Sequence, residues 1–316
     1  MSLAVIIVSY NTCELLRRCL SALAQSKGGE LDVIVVDNAS TDGSAAMVRA
    51  EFPQVCLLAQ THNLGFAAAN NAALVALGFG VRKAELGGWE QRITHYPLPL
   101  AQLPDYILLL NPDTTVRSNA IATLVDFMRT HPRAGLVGAQ LVYPDGRFQH
   151  SAFRFPGLAQ TFLDFFPLQQ RLLDSRVNGR YARHTQPFAI DHPLGACMLA
   201  RREAIQQVGL LDEGYFMYVE EVDWCRRIKS RGWQVWCEPR ALVTHHEGQA
   251  TKQFRQKMFI ALWRSRLRYF RKYHSAAYVA LIRLVVRVGF AKLLRETPLV
   301  ERAEKCAAFA EVMGTG

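Results

Sequence analysis

The chain has 316 residues, half of them hydrophobic and a fifth charged, enough for one large α/β unit with an appendage or two modest domains. Seven scattered cysteines without a C-x-x-C pair exclude a disulfide frame or a cysteine zinc site and fit reduced thiols in a cytosolic compartment. The formal net charge of +10 is local: residues 248–295 hold twelve Lys and Arg and no acid, leaving 25 of the 37 basic residues against all 27 acidic ones elsewhere.

The first ten residues lack the basic start and long apolar run of a signal peptide, and they read as a buried strand. Apolar runs at Leu3–Val8, Leu31–Val36, Val55–Leu58 and Tyr106–Leu110 predict strands buried on both faces, hence a parallel sheet. Helical spacing over Cys13–Ala24, Gly43–Glu51 and Phe66–Leu77 fills the gaps, with Ser, Thr and Asp at the entrances. This β-α-β-α order predicts a doubly wound α/β sheet with its ligand beyond the carboxyl ends of the strands. Residues 80–104 read as an inserted surface loop. Residues 151–190, with several aromatics and five arginines, read as a substrate-facing excursion. A strand-like Trp233–Cys237 precedes His245-His246, and the chain is helical in pattern from about residue 252.

Polar clusters follow the strands. They are Ser9-Tyr10-Asn11, Asp37-Asn38-Ala39-Ser40, the segment from Asn63 through Gly65 to Asn70, and Asn111-Pro112-Asp113. Each stands between a hydrophobic strand and a following element, so all converge on one crevice. Short amides and carboxylates there suit a nucleobase and ribose, and helix N-termini favour phosphates. A turn-and-cap role explains any one cluster, but four in order point to nucleotide binding. No glycine follows the first strand in the G-x-G-x-x-G pattern, which excludes a nicotinamide-type fingerprint.

With these blocks, and with G-A-C-M-L-A-R-R (195–202) and G-L-L-D-E-G-Y-F-M-Y-V-E-E-V-D-W-C-R-R (209–227), the chain resembles family-2 glycosyltransferases of the GT-A fold, closest to their rhamnosyltransferase-like branch. The resemblance runs from Val5 to about Thr251. It implies a GT-A domain over 1–251, with a nucleotide-sugar half to about 116 and an acceptor half after it, and a basic helical extension over 252–316. The sheet is then mostly parallel with helices on both faces.

The resemblance also implies an inverting, metal-dependent transfer of a sugar, with dTDP-rhamnose the favoured donor, to a glycan or lipid-linked acceptor of the cell envelope. Its D-x-D position is Asn111-Pro112-Asp113 here, so Asp113 is the expected ligand of Mg2+ or Mn2+, completed by His245 or its neighbour His246. The nucleotide site is expected from Ser9, Tyr10, Asn11, Asp37, Asn38, Ser40, Asn63, Gly65, Asn70 and Asn111. Glu221 holds the position of the base, with Glu220 as fallback, and Asp223 is either structural or acceptor-orienting. An inactive nucleotide-sugar-binding protein is the alternative.

The basic tail interleaves Trp263, Tyr269, Phe270 and Tyr273 with Arg264, Arg266, Arg268, Arg271 and Lys272. Residues 276–294 carry too many charges for a spanning helix. They predict an interfacial helix, inserting Leu281, Leu284, Val285 or Val288 into an anionic membrane surface on its cytoplasmic side. The competing reading is a helix packed on the catalytic domain. No nucleic-acid recognition motif is present, and the resemblance also admits a homo-oligomer.

Overall fold

The computed structural model of the chain describes residues 2–27, 29–80, 93–95, 103–246 and 255–314. All seven residues of β1 (Leu3–Ser9) are buried, as a central strand covered on both faces requires. It is followed by α1 (Cys13–Ala24), β2 (Asp32–Asp37), α2 (Ser44–Glu51), β3 (Cys56–Ala59), α3 (Phe66–Ala76), β4 (Ile93–His95) and β5 (Tyr106–Leu110). Strands β1 with β2, β1 with β5, and β2 with β3 pair in parallel, so this half matches the sequence expectation to within a residue or two at each end. Of the expected loop over 80–104, most lies outside the described residues; β4 pairs antiparallel with β3.

The second half comprises β6 (Thr114–Val116), α4 (Ala120–Thr130), β7 (Ala134–Val142), β8 (Phe148–Gln149), β9 (Ala152–Phe153), α5 (Leu158–Phe165) and α6 (Gln170–Leu173). It continues through β10 (Phe188–Ala189), β11 (His192–Pro193), β12 (Cys197–Arg201), α7 (Arg202–Val208), α8 (Glu220–Ser230) and β13 (Gln234–His245), then α9 (Arg255–Tyr273), α10 (Ala276–Glu296) and α11 (Leu299–Gly314). One sheet orders its strands β10-β13-β7-β12-β5-β1-β2-β3-β4, with β6 on β13 and β8 on β7. The expectation of a mostly parallel sheet needs correction here. Strand β12 runs antiparallel to both β5 and β7, which makes the sheet mixed.

Alternate residues of β1 face opposite sides. Val5 and Ile7 pack with Leu16 and Leu20 of α1 and Leu124 of α4. Ala4 and Ile6 pack with Ala69 and Ala73 of α3 and Trp224 of α8. A third cluster joins Trp263, Leu267 and Phe270 of α9 and Ile282 and Val286 of α10 to Phe165 of α5 and Tyr215, Val219 and Val222. At Gly289 a Cβ would fall 2.1 Å from the Phe165 ring, so only glycine lets α10 approach α5 this closely. The C-terminal helices are therefore packed on the rest of the fold through α5 and α8.

Two expectations about charge and exposure change as a result. Although residues 248–295 contain no acid, acids from other segments meet the cations of α9. Arg264 pairs with Glu311, Arg266 with Asp164, Arg268 with Asp212, and Lys272 with Asp212 and Asp223. The excursion over 151–190 folds into β9, α5, α6 and β10 and leans on α10, where the Leu158 amide donates to the Tyr278 hydroxyl at 2.9 Å.

Candidate active site

The polar clusters after the strands first hold one another. Asn11 takes a left-handed conformation (φ 52°), which asparagine tolerates better than most side chains. Its amide donates to Ser40 Oγ at 3.0 Å and its Oδ1 accepts from the Thr41 amide at 2.8 Å. The Ser9 and Thr12 hydroxyls are 3.0 Å apart and buried. Asn38 is the clasp between blocks: Nδ2 donates to Asn63 Oδ1 at 2.9 Å and Oδ1 accepts from the Leu64 amide at 2.9 Å.

Gly65 follows with φ 81°, and a Cβ there would lie 2.3 Å from the Phe216 carbonyl oxygen. That carbonyl accepts from the Phe66 amide at 2.7 Å. The first-half loop is thereby fixed to the segment leading into α8.

That segment carries the acids. Tyr218 (φ 67°) and Val219 (φ 71°) are both left-handed, a rare state for a β-branched residue. It costs about 1–2 kcal/mol per residue. The strain coincides with burial of Val219 in the third cluster and with the start of α8, whose first two residues are Glu220 and Glu221. Glu220 is 5% exposed and Glu221 half-buried, and each has an Oε2 atom that is buried without a hydrogen-bond partner. Burial raises the Glu220 carboxyl well above its ordinary range, with repulsion from Glu221 adding to the effect. Burial pushes Glu221 up to about 7, against backbone hydrogen bonds that favour its charged form.

On the other side of the sheet order, β13 runs well beyond its expected end at Cys237. A bulge between Glu238 and Leu242 absorbs Pro239, which has no amide to give a ladder, and the strand resumes to pair His245 with Thr114 of β6. His245 Nε2 then lies 3.4 Å from Asp113 Oδ1, while Nδ1 is 3.2 Å from Gln149 Oε1. In the tautomer with its proton on Nδ1, donated to Gln149, the Nε2 lone pair would face a carboxylate oxygen. Two electron donors at that spacing suit a bridging cation. Asn111 Oδ1, buried and without a partner, also borders this space. Among the described residues no three His, Cys, Asp or Glu side chains cluster as a complete metal cage. A hard divalent ion would complete its shell with water and phosphate oxygens, so the donor set fits Mg2+ or Mn2+ with its nucleotide. The next residue, His246, donates its amide to the Asp113 carbonyl at 2.9 Å.

These groups share one cavity of about 930 Å³. Of the expected nucleotide residues, Tyr10, Asn38, Asn63, Gly65 and Asn111 line it, as do Asp113, His245, Glu220 and Glu221. Ser9, Asn11, Asp37, Ser40 and Asn70 do not. Asp37 accepts from the Ser40 amide at 3.3 Å and keeps Oδ1 buried without a partner, while Asn70 donates back to the Phe66 carbonyl within its helix.

Asp223 is placed away from the cavity. Its fully buried carboxylate accepts from Arg227 at 2.8 Å and from the Tyr273 hydroxyl at 2.8 Å, and pairs with Lys272 at 2.6 Å. One turn along α8 from Glu220, its side chain points into the α9 contact, which makes it an anchor. The excursion over 151–190 contributes nothing to the cavity lining either. Missed by sequence reasoning were Gln149 and the α9 and α11 side chains Lys257, Met258, Arg264 and Glu311. The third cluster of apolar contacts, with the ion pairs of α9 to Asp164, Asp212 and Asp223, brings those helices to the site.

Comparison with known proteins follows the same lines. Residues 2–264 match the family described as glycosyltransferase like family 2. A Mycobacterium tuberculosis protein described as an N-acetylglucosaminyl-diphospho-decaprenol L-rhamnosyltransferase is 29% identical over 299 residues, 92% of this chain and 90% of that one. The rhamnosyltransferase WbbL of Escherichia coli is 27% identical over 167 residues, 52% of this chain and 61% of its own. Among solved structures, the mannosyltransferase PcManGT of Pyrobaculum calidifontis, in complex with GDP-Man and Mn2+, superposes with a TM-score of 0.55 at 16% identity. That match covers 98% of this chain and 80% of the other, and it shows a common fold.

Proposed function

The chain belongs to glycosyltransferase like family 2 and is a glycosyltransferase, and from that premise we propose that it transfers rhamnose, with inversion, from dTDP-rhamnose to the sugar of a diphosphate-linked lipid. The observation that carries the reading is one cavity bordered both by Asp113 with His245 and by the Glu220–Glu221 pair. The rhamnosyl group and the acceptor follow the mycobacterial relative's description, and the dTDP carrier follows the resemblance to the rhamnosyltransferase-like branch.

Asp113 Oδ1 and His245 Nε2 would hold Mg2+ or Mn2+, which when bound stabilises the charge developing on the departing nucleotide diphosphate. Tyr10, Asn38, Asn63 and Asn111 border the space for the nucleotide. Glu221, half-open to the cavity, takes the proton from the acceptor hydroxyl as its oxygen bonds the anomeric carbon. The bond from that carbon to phosphate breaks on the opposite side, and its electron pair leaves with the nucleotide. Burial and repulsion from Glu221 favour the neutral form of Glu220, which spares the pair a second negative charge.

A membrane surface fits the acceptor. Among the described residues no helix is long and apolar enough to cross a membrane. Phe162, Leu168, Val177, Leu281, Leu284 and Val288 are exposed large apolar residues on α5, α10 and the turns beside α6, flanked by exposed Arg171, Arg176 and Arg287. Docking of this face on the anionic cytoplasmic leaflet would keep a lipid-linked acceptor within reach.

The test is a donor screen with a synthetic N-acetylglucosaminyl diphospholipid, with Mn2+, Mg2+ or chelator. Transfer from dTDP-rhamnose that needs a divalent ion is the expected result. Donor binding without turnover for any sugar and metal would instead favour an inactive binding protein.

A further inference from the structure

One wall of the cavity is a face of α9. Lys257, Ala261 and Arg264 recur at helical spacing along it, with Met258 between them. Lys257 and Arg264 are two turns apart, about 10 Å along the axis, and both long side chains reach the same space. Their presence there answers a problem of charge. The cavity also holds Asp113, Glu311 and the Glu220–Glu221 pair, whose ionised members repel an anionic acceptor unless cations offset them.

Arg264 has the features of a group kept for a ligand. Its partner in the chain is Glu311 of α11 at 3.1 Å, and both side chains are nearly half exposed. An exposed pair of this kind contributes little to stability. A guanidinium fork, however, matches a phosphate in two parallel hydrogen bonds, so a phosphate can compete with Glu311 for it. Beside the cations lie Met258, Ala261 and the exposed ring of Phe216, an apolar surface suited to the first methylenes of an alkyl chain.

We propose that Lys257 and Arg264 bind the diphosphate of the lipid-linked acceptor, Arg264 exchanging Glu311 for phosphate oxygens. The inference rests on the acceptor class proposed above. A donor diphosphate is the other source of the same chemistry, and binding measurements separate the two. The full chain, saturated with dTDP and Mg2+, is titrated calorimetrically with decyl diphosphate and with neutral decyl glucoside.

Decyl diphosphate should bind in a salt-sensitive way and more tightly than the glucoside. Arg264→Gln should weaken it about tenfold or more, as loss of a charge-assisted pair does, and Lys257→Gln should weaken it in the same direction. Glu311→Gln should tighten it, because a competitor for Arg264 is gone. The affinity for dTDP should not change in these variants.

Weaker dTDP binding in Arg264→Gln with decyl diphosphate unaffected would assign the cations to the donor and overturn the proposal. So would equal binding of decyl diphosphate and decyl glucoside. Because no step of the test requires transfer, a wild-type chain that binds decyl diphosphate as described but transfers no sugar overturns the proposed reaction and leaves this site standing.

Discussion

His245 Nε2 faces Asp113 Oδ1 at 3.4 Å while Gln149 Oε1 sits 3.2 Å from the other ring nitrogen. Gln149 can accept the ring proton at Nδ1, the tautomer that frees Nε2 to ligate. Replacing Asp113 by Asn should lower metal-dependent turnover by at least about 100-fold, because the proposed ion would lose a charged ligand. Gln149→Leu should be milder. It should raise the Mn2+ concentration for half-maximal rate by about 10- to 100-fold, the usual cost of removing an outer partner. Rates measured across a Mn2+ titration check both, and an unchanged titration curve in both variants would exclude this pair as the metal site.

A base must be ionised to accept a proton, and burial holds Glu221 up to about 7. The rate should therefore rise with pH through an apparent pKa near 7. Glu220→Gln should leave that limb in place, since desolvation of Glu221 is its main cause. Glu221→Gln should abolish transfer while dTDP still binds. If the Glu220 variant is the dead one, the base is Glu220.

The same shift carries a stability sign. The folded value is raised above the ordinary 4.5, so the contribution of neutral Glu221 is fully present below pH 4.5 and is lost as pH rises through about 7. Glu221→Gln should thus unfold at a higher temperature than the wild type at pH 8 and show a smaller difference at pH 5. Thermal unfolding at the two pH values tests it.

Asp223 should behave as a structural residue. Removing a fully buried carboxylate leaves Arg227 and Lys272 without their shared partner, and breaking such a pair costs about 3–5 kcal/mol. Asp223→Ala should therefore lower stability strongly, and activity should fall only with the folded fraction. A fully folded Asp223→Asn enzyme with kcat reduced about 1000-fold would instead place this residue in the chemistry.

Gly65→Ala places a methyl 2.3 Å from the Phe216 carbonyl in a backbone conformation that L residues rarely adopt. It should destabilise by more than about 1 kcal/mol and raise the KM for the donor, because Asn63 and Phe216 shift together. Denaturant unfolding and donor kinetics measure the two effects.

Membrane docking should depend on the apolar face more than on α9. Acidic replacements at Leu284 and Val288, both about half exposed, should abolish co-sedimentation with anionic vesicles. Charge removal at Arg268, which already pairs with Asp212, should change it little. High salt should weaken binding, since exposed charges are screened over about 8 Å at physiological ionic strength.

The first half of the fold was legible in the chain because its rules are local. Buried parallel strands such as Leu3–Ser9 read as apolar runs, and helices between them follow from spacing and caps. The order of the polar clusters likewise marked the crevice, while the roles expected of Asp113, His245 and Glu221 came from the family resemblance and not from spacing. What the order of residues left open was which polar groups face the cavity. Ser9, Asn11, Ser40 and Asn70 satisfy one another or their own backbone, a matter of side-chain direction over a few ångströms. Asp223 and Glu221, two residues apart on one helix, point to different partners for the same reason. The run of cations in the tail suggested a free basic surface, yet Asp164, Asp212 and Glu311 arrive from distant segments to meet it. Only tertiary packing, with α9 held by Trp263, Leu267 and Phe270 against the helix that carries the acids, decided that the tail forms a wall of the cavity.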